Sequence, residues 1–458
     1  MNLTLTSLAA ALCIAQILPA LCIAQVVPAQ ATTRADFNIL AEGAVADGTT
    51  LNTAAIQRAI DSCSKNGGGR VIVPSGNFVI GTIFLRNGVR LHLEQGATLL
   101  GSTEITDYVP VEGTIKKDMV RALIGAVDAK DIGIEGKGTV DGRGAPLRAK
   151  SGATRAVLVR FARCEQVSLA DVHLINSAAW TVHLFQCRNL SAERVTIRSR
   201  GLPNNDGFDI DSCQDVRIQN CDIDTGDDAI CLKTTSTTPC RNVTVTHCRL
   251  KSGCGAIKLG TESAGDFENI RIANCHVLDA DLGAIKIFSV DGAHIRDLQI
   301  SDITIDNAAL AVFIRLGARL SAYRPGEQKK PVGTIDKVRI HNIKGKCSTI
   351  GVLISGIPNH LIANVSLENL DLQLPGGAKA VKDLALPEAE DKYPEIKMFG
   401  NEFPSHGVYG RHIDQLKATN VRMTTAKPDA RPLSHFEDVK SLAWPEVQPP
   451  ATPSSTDF

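Results

Sequence analysis

Aromatic side chains are scarce in this 458-residue chain, at 4% of the total, and charge of either sign is not in excess. Lys plus Arg and Asp plus Glu each number 49. With no basic stripe interleaved with aromatics, a nucleic-acid partner is excluded. Beyond the first thirty or so residues, no run is long and apolar enough to cross a bilayer. The thirteen cysteines show neither metal-site nor knottin spacing. What the chain does have is Gly, Val, Ile and Asn in plenty, the mixture of a β-rich protein with many turns.

The first residues stand apart. From Leu8 to Val27 the chain is uncharged and mostly apolar, and Ala29-Gln30-Ala31 resembles an A-x-A cleavage site. Residues 1–31 are therefore expected to be a signal peptide for export to the periplasm or the outside. It is an atypical one, because no Lys or Arg precedes the apolar run and "ALCIAQILP" is nearly copied as "ALCIAQVVP". A membrane anchor is the rival reading, but Pro19, Pro28 and two glutamines interrupt the span.

A repeat decides the architecture. "NLSAERVTI" from Asn189, "DVRIQNCDI" from Asp215, "NVTVTHCRL" from Asn242, "NIRIANCHV" from Asn269 and "DLQISDITI" from Asp297 share one pattern. Each opens on a polar residue and is apolar at the second, fourth, seventh and ninth places, with few exceptions. "QVSLADVHL" from Gln166 precedes them; "KVRIHNIKG" from Lys337 and "NVSLENLDL" from Asn364 follow. A period near 27 residues marks a solenoid whose units stack only on their neighbours. Short alternating strands with polar corners predict a parallel β-helix rather than leucine-rich repeats. Cys221, Cys248 and Cys275, and likewise Cys187, Cys213 and Cys240, then form stacked ladders of buried thiols instead of disulfides. A capping helix is expected from Asn52 or Thr53 to the triple glycine at Gly67, plugging the open first coil. One domain is expected over residues 32–444, with a long loop after Leu374, a last strand region "GVYGRHIDQLKATNVRM" and a disordered tail from 445 to 458.

Stacking also gathers carboxylates. Asp206 precedes Asp227 and Asp228 by 21 and 22 residues, about one coil; His183 lies one coil earlier, Lys258 one later and Lys286 one beyond that. The expected stripe is His183, Asp206, Asp227/Asp228, Lys258 and Lys286. Three carboxyls so close cannot all ionise freely, and at least one pKa should rise, leaving an acid beside a base. Inverting glycoside hydrolysis needs that division of labour, and the lysines could hold an anionic sugar. The bland reading is that Asp in a G-D-D corner is only a turn residue.

These residues resemble glycoside hydrolase family 28, the polygalacturonases and their relatives. The family's N-T-D is matched by Asn204-Asn205-Asp206, with Asn205 where Thr is usual, and its G-D-D by Gly226-Asp227-Asp228. "WTVHLFQC" and "KLGTESAGDFENIRIANC", the latter with Glu262, are similar to segments of exo-acting bacterial members. The resemblance implies a right-handed β-helix and an inverting hydrolase of pectic poly- or oligosaccharides, a monomer without cofactor or metal. It makes Asp227 the general acid, Asp206 and Asp228 the activators of water, and Lys286 a contact for a galacturonate carboxylate. Two positions depart: the family's G-H-G reads Gly253-Cys254-Gly255, and its R-I-K reads Ala284-Ile285-Lys286. Both departures point towards another linkage, with rhamnogalacturonan one candidate. Two alternatives stay open. One is a lyase holding Ca²⁺ on Asp206, Asp209, Asp211, Asp224, Asp227 and Asp228; the other is a β-helix that binds pectic saccharide without cutting it.

Overall fold

The computed structural model describes residues 35–444, apart from 115, 153, 325, 381–383 and 401. The expected signal segment and C-terminal tail lie outside the described residues. From Ala35 to Ala443 the chain winds through short strands that pair in parallel with the strand one coil before and one coil after, as a parallel β-helix does.

The repeat explains why the chain turns where it does. The first residue of every repeat named above is in the left-handed region, from Gln166 (φ 57°) and Asn189 (55°) through Asn242 (56°) to Asn364 (49°). The sixth residue is there too, as at Asn220, His247, Asn274, Asn342 and Asn369. Asn and Asp tolerate this conformation better than other residues with a Cβ. They also join coil to coil: the Asn242 side chain donates to Asp215 and Asn269 donates to Asn242, each at 2.8 Å. The apolar places point inwards, so Val216, Ile218, Cys221 and Ile223 are all buried, and the same places in successive coils build one continuous aliphatic core.

The cysteines stack as expected. Cys187, Cys213 and Cys240, and Cys221, Cys248 and Cys275, are buried thiols, and Cys164 extends the first ladder by one coil. The helix α1 spans Thr53–Lys65 and turns Ile56, Ala59, Ile60 and Cys63 onto the first coil. Asn52 precedes it, but its side chain bonds to Val45 and Thr50 rather than capping the helix.

One of the three strand columns positions the site. Nine of its strands concern the site: β1 (Val157–Ala162), β2 (Val182–Phe185), β3 (Phe208–Asp211), β4 (Ile230–Thr234), β5 (Gly255–Ser263), β6 (Gly283–Ser289), β7 (Val312–Leu316), β8 (Val352–Ser355) and β9 (Val408–Lys427). β9 is the last strand region expected from the sequence. The long loop before it includes a strap, residues 384–399, that lies back over β6 to β8.

Candidate active site

Register places one ladder of outward side chains along this column: Arg160, His183, Asp209, Cys231, Lys258, Lys286, Phe313, Leu353 and Tyr409. The expected stripe is thus corrected at two coils, where Asp209 and Cys231 stand on the ladder in place of Asp206 and Asp227/Asp228. His183 pairs with Asp209, not Asp206, because Asp206 belongs to the turn before β3. The turn residues form a second column beside the ladder. Gly207 N–H donates to Asp228 O and Ala229 N–H to Gly255 O, which sets Asp206, Asp228 and Cys254 on three successive coils. Two columns, one from strands and one from turns, make a trough.

The G-D-D corner is built to hold two carboxylates with different surroundings. Thr225 and Ser252 hydroxyls both donate to Asp227 O, at 2.8 and 2.7 Å, and fix the turn. A Cβ on Gly226 would sit 2.8 Å from Leu202 O, and one on Gly253 only 2.4 Å from Gly226 O, so both corners need glycine. Asp228 is buried; it accepts from Gly255 N–H at 3.0 Å and from Lys258 Nζ at 2.7 Å. Burial opposes its charge, but Lys258, Lys286 and Lys233 outweigh that and hold its pKa down at about 2. Asp227 is only half-buried, and its carboxylate takes Asp228 N–H at 3.0 Å and the Asn204 amide at 3.4 Å.

Asp206 meets the opposite conditions. It is 2% exposed, one oxygen has no protein hydrogen bond and the other lies 3.5 Å from Lys233 Nζ. Burial first, then the charges of Asp209, Asp227 and Asp228, push its pKa well up against the pull of Lys233. Asp209, 3.0 Å from the same lysine, is raised to about 6, again chiefly by burial. Lys233 also pairs with Glu262 at 3.5 Å and lies over the Trp180 ring, 4.4 Å from its centroid. Burial works against the charge of Glu262, but Lys233 and Lys116 keep it ionised. The trough therefore contains a carboxyl whose pKa is pushed up, chiefly by burial, and one whose pKa is held down by lysines, a split of the kind expected from the spacing.

The remaining predicted residues fall in different places. Lys258 and Lys286 line the trough beside Asp228, and Gly255 allows this approach: a Cβ there would lie 2.9 Å from both Asp228 Oδ1 and Lys286 Cδ. His183 is fully buried, takes the Arg160 guanidinium on Nδ1 at 3.0 Å, and faces Asp211 across 3.5 Å. Burial pushes its pKa down to about 4. It packs under Trp180 as part of the floor, so a substrate contact for His183 has no geometric basis. Asn205 donates to the Ser177 and Ala179 carbonyls and accepts from Leu202 N–H, a buried brace that explains why Asn can stand where Thr is usual.

Sequence reasoning missed three participants. Lys233 sits two residues after Cys231 on β4, one side-chain alternation along from the ladder, where the period-two rule could have found it. Tyr393 and Glu395 come from the strap, outside any repeat, and nothing local marks them. Tyr409 and Arg411 do not enter the trough; Arg411 instead donates to Leu386 O at 3.0 Å and anchors the strap.

The acids proposed as a Ca²⁺ set do not converge. Asp211 is bound by Thr235, Asp224 pairs with Arg200 on another face, and Asp206 and Asp209 share Lys233. Asp227, Asp228 and Cys254 do lie within 4.8 Å of one another. However, burial pushes the Cys254 thiol up, and an un-ionised thiol suits a hard cation poorly.

The sequence profile described as glycosyl hydrolases family 28 matches residues 63–387. A probable polygalacturonase of Vitis vinifera is 32% identical over 210 residues, covering 42% of this chain and 43% of the relative. An exo-poly-alpha-D-galacturonosidase of Dickeya chrysanthemi is 30% identical over 248 residues, covering 42% and 41%. The matches thus span less than half the length of these curated relatives. Among solved structures, the family 28 exopolygalacturonase of Yersinia enterocolitica superposes with a TM-score of 0.69 at 20% identity, over 89% of this chain and 78% of that one, a likeness of fold. A profile match across most of the chain, on a β-helix whose trough carries the acids of both motifs, settles the family: this chain belongs to the glycosyl hydrolases family 28.

Proposed function

We propose that the chain hydrolyses glycosidic bonds in galacturonate-containing pectic saccharides with inversion at the anomeric carbon. The observation that carries this reading is the unequal surroundings of three neighbouring carboxyls: Asp228 bonded to Lys258 Nζ and Gly255 N–H, with its pKa held down; Asp206 buried, with its pKa pushed up; and Asp227 half-buried. Asp227 is the member able to reach a glycosidic oxygen and serves as the general acid. Asp227 gives a proton to the departing glycosidic oxygen while Asp228 takes one from the attacking water, and Asp206 joins Asp228 in orienting that water. In the resting trough the burial of Asp206 keeps the charge of the cluster low.

Packed side chains flank the trough on two sides, and this supports attack at a chain end. On one side Met119 O accepts from Arg160, and Met119, Val111 and Trp180 pack together. On the other the strap covers Phe313 and Leu353. A pectic substrate also agrees with the export expected from residues 1–31, since such polymers lie outside cells.

The test uses leaving groups. Asp227→Asn should cut release of reducing ends from pectic oligosaccharides by about 10²–10⁴-fold, the range for a general acid. It should recover most of that loss on an aryl glycoside whose leaving group needs no proton. Asp206→Asn should show no such recovery. If the aryl substrate rescues Asp206→Asn instead, the acid has been assigned to the wrong carboxyl. NMR of the first product should show the inverted anomer; a retained anomer overturns the inverting reading.

A further inference from the structure

The expected partner of Lys286 was a substrate carboxylate, but the protein supplies its own. Glu395 of the strap reaches Lys286 Nζ with both oxygens, at 2.9 and 3.1 Å, and the Lys286 side chain is fully buried beneath it. Next to it, Tyr393 places its hydroxyl 3.4 Å from Lys258 Nζ, which already bonds Asp228. With Lys233 shared among Asp206, Asp209 and Glu262, each trough lysine among the described residues is paired with a carboxylate of this chain.

This pairing is part of a built wall. Arg315 donates to the Glu388 and Ala389 carbonyls at 2.8 and 3.0 Å, Ala318 N–H bonds Glu390 O at 2.7 Å, and Arg411 holds Leu386 O. Leu386 and Phe399 fill an apolar cluster with Phe288, Phe313 and Leu353. A uronate entering beside Lys286 would meet a fixed carboxylate and no unpaired cation. An uncharged sugar meets only hydrogen-bonding groups that neutralise one another. The missing Arg, with Ala284 in its place and buried in the core, removes the other cation that could have compensated.

We infer that Glu395 is a specificity-determining residue that makes the Lys286 side of the trough a subsite for an uncharged sugar unit. This rests on the trough being the site of cleavage, and it narrows the substrate to saccharides in which galacturonate adjoins a neutral sugar. The probes are a rhamnogalacturonan oligosaccharide, with galacturonate and uncharged rhamnose alternating, and an oligogalacturonide of equal length. The full chain should show kcat/KM at least tenfold higher on the mixed oligosaccharide. Glu395→Gln frees Lys286 with little change of shape and should move that ratio at least tenfold towards the oligogalacturonide. Lys286→Met, where no substrate carboxylate is bound, should keep the preference of the parent. The inference is overturned if the parent prefers the oligogalacturonide, or if Glu395→Gln folds with an unshifted Tm and leaves the ratio where it was. An Asp227→Asn variant that still cleaves both probes strikes at the proposed function instead, so the two failures can be told apart.

Discussion

One ladder of the β-helix has two halves that differ in everything except backbone. From Arg160 to Lys286 its outward side chains are polar or charged, and from Phe313 through Leu353 to Tyr409 they are apolar or aromatic. Strand pairing is parallel across both, with one shift of register between β4 and β5 after Leu232. The strap covers the second half and reaches back over the first only at Lys258 and Lys286. The fold therefore offers a neutral rack about 4.8 Å per rung, and what each rung does depends on the side chain hung there. Chemistry gathers where carboxylates and lysines alternate, and shielding gathers where rings do.

The strongest way to break this contrast is to remove the cation that makes the charged half tolerable. Lys233→Met leaves Asp206, Asp209 and Glu262 buried without their shared partner and should cost about 3–5 kcal/mol at neutral pH, as breaking a buried ion pair does. The sign with pH follows from the carboxyls. Without Lys233 the folded pKa values of Asp206 and Asp209 rise further above the unfolded ones, and Glu262 loses the largest of the lysine charges that hold its pKa down, so the loss grows as pH rises and shrinks as pH falls and they protonate. Urea unfolding at pH 7.5 and pH 5 checks this; equal losses at both would show that packing, not charge, set the cost.

The apolar half is tested by Phe399→Ala. That ring lies 6.3 Å from Phe313, 6.5 Å from Phe403 and beneath the guanidinium of Arg411 at 5.1 Å. Its removal should cost about 3 kcal/mol, the low end for buried Phe to Ala, and the cost should fall on the strap. Limited proteolysis within residues 384–399 should accelerate while hydrogen exchange in the core near Ile218 stays slow. Uniform loss of protection would mean that the strap and the solenoid unfold as one.

The halves differ in how far the sequence disclosed them. Period and alternation disclosed the solenoid, the buried thiol ladders and the gathering of Asp206, Asp227 and Asp228, because a repeat converts spacing into proximity. The same arithmetic misplaced His183 by three residues, since coils vary in turn length and a count of about 23 does not say which part of the coil it ends in. Lys233 was open to discovery from its alternation on β4. Glu395 and Tyr393 were not, because they reach the trough through a loop whose path is fixed by Arg315, Arg411 and an aromatic cluster, contacts more than 70 residues apart in places.

A smaller change sharpens the account of the acids. Asp206 has a folded pKa well above that of an exposed Asp, so its contribution to stability is complete at low pH and is lost as pH rises through the folded value. Asp206→Asn imitates the protonated form at every pH. It should therefore raise Tm at pH 8 by more than at pH 5 while lowering activity. A gain independent of pH, or greater at pH 5, would contradict the buried-acid assignment.

The smallest effect is expected at Cys254, although it occupies the place of the family's histidine. Burial pushes its thiol up, so at neutral pH it carries no charge with which to tune Asp227 or Asp228. Its polar contact is weak, Lys286 Nζ at 3.7 Å, and Lys286 has Glu395 as a far stronger partner. Cys254→Ala should thus leave kcat/KM on the preferred oligosaccharide within roughly threefold, less than 1 kcal/mol in the barrier. Its pH profile should match that of the parent, because the groups that titrate there are carboxyls. A shift of the acid limb in Cys254→Ala would instead make the thiol part of the proton balance, and the charged half of the ladder would then include a residue that its electrostatics leave out.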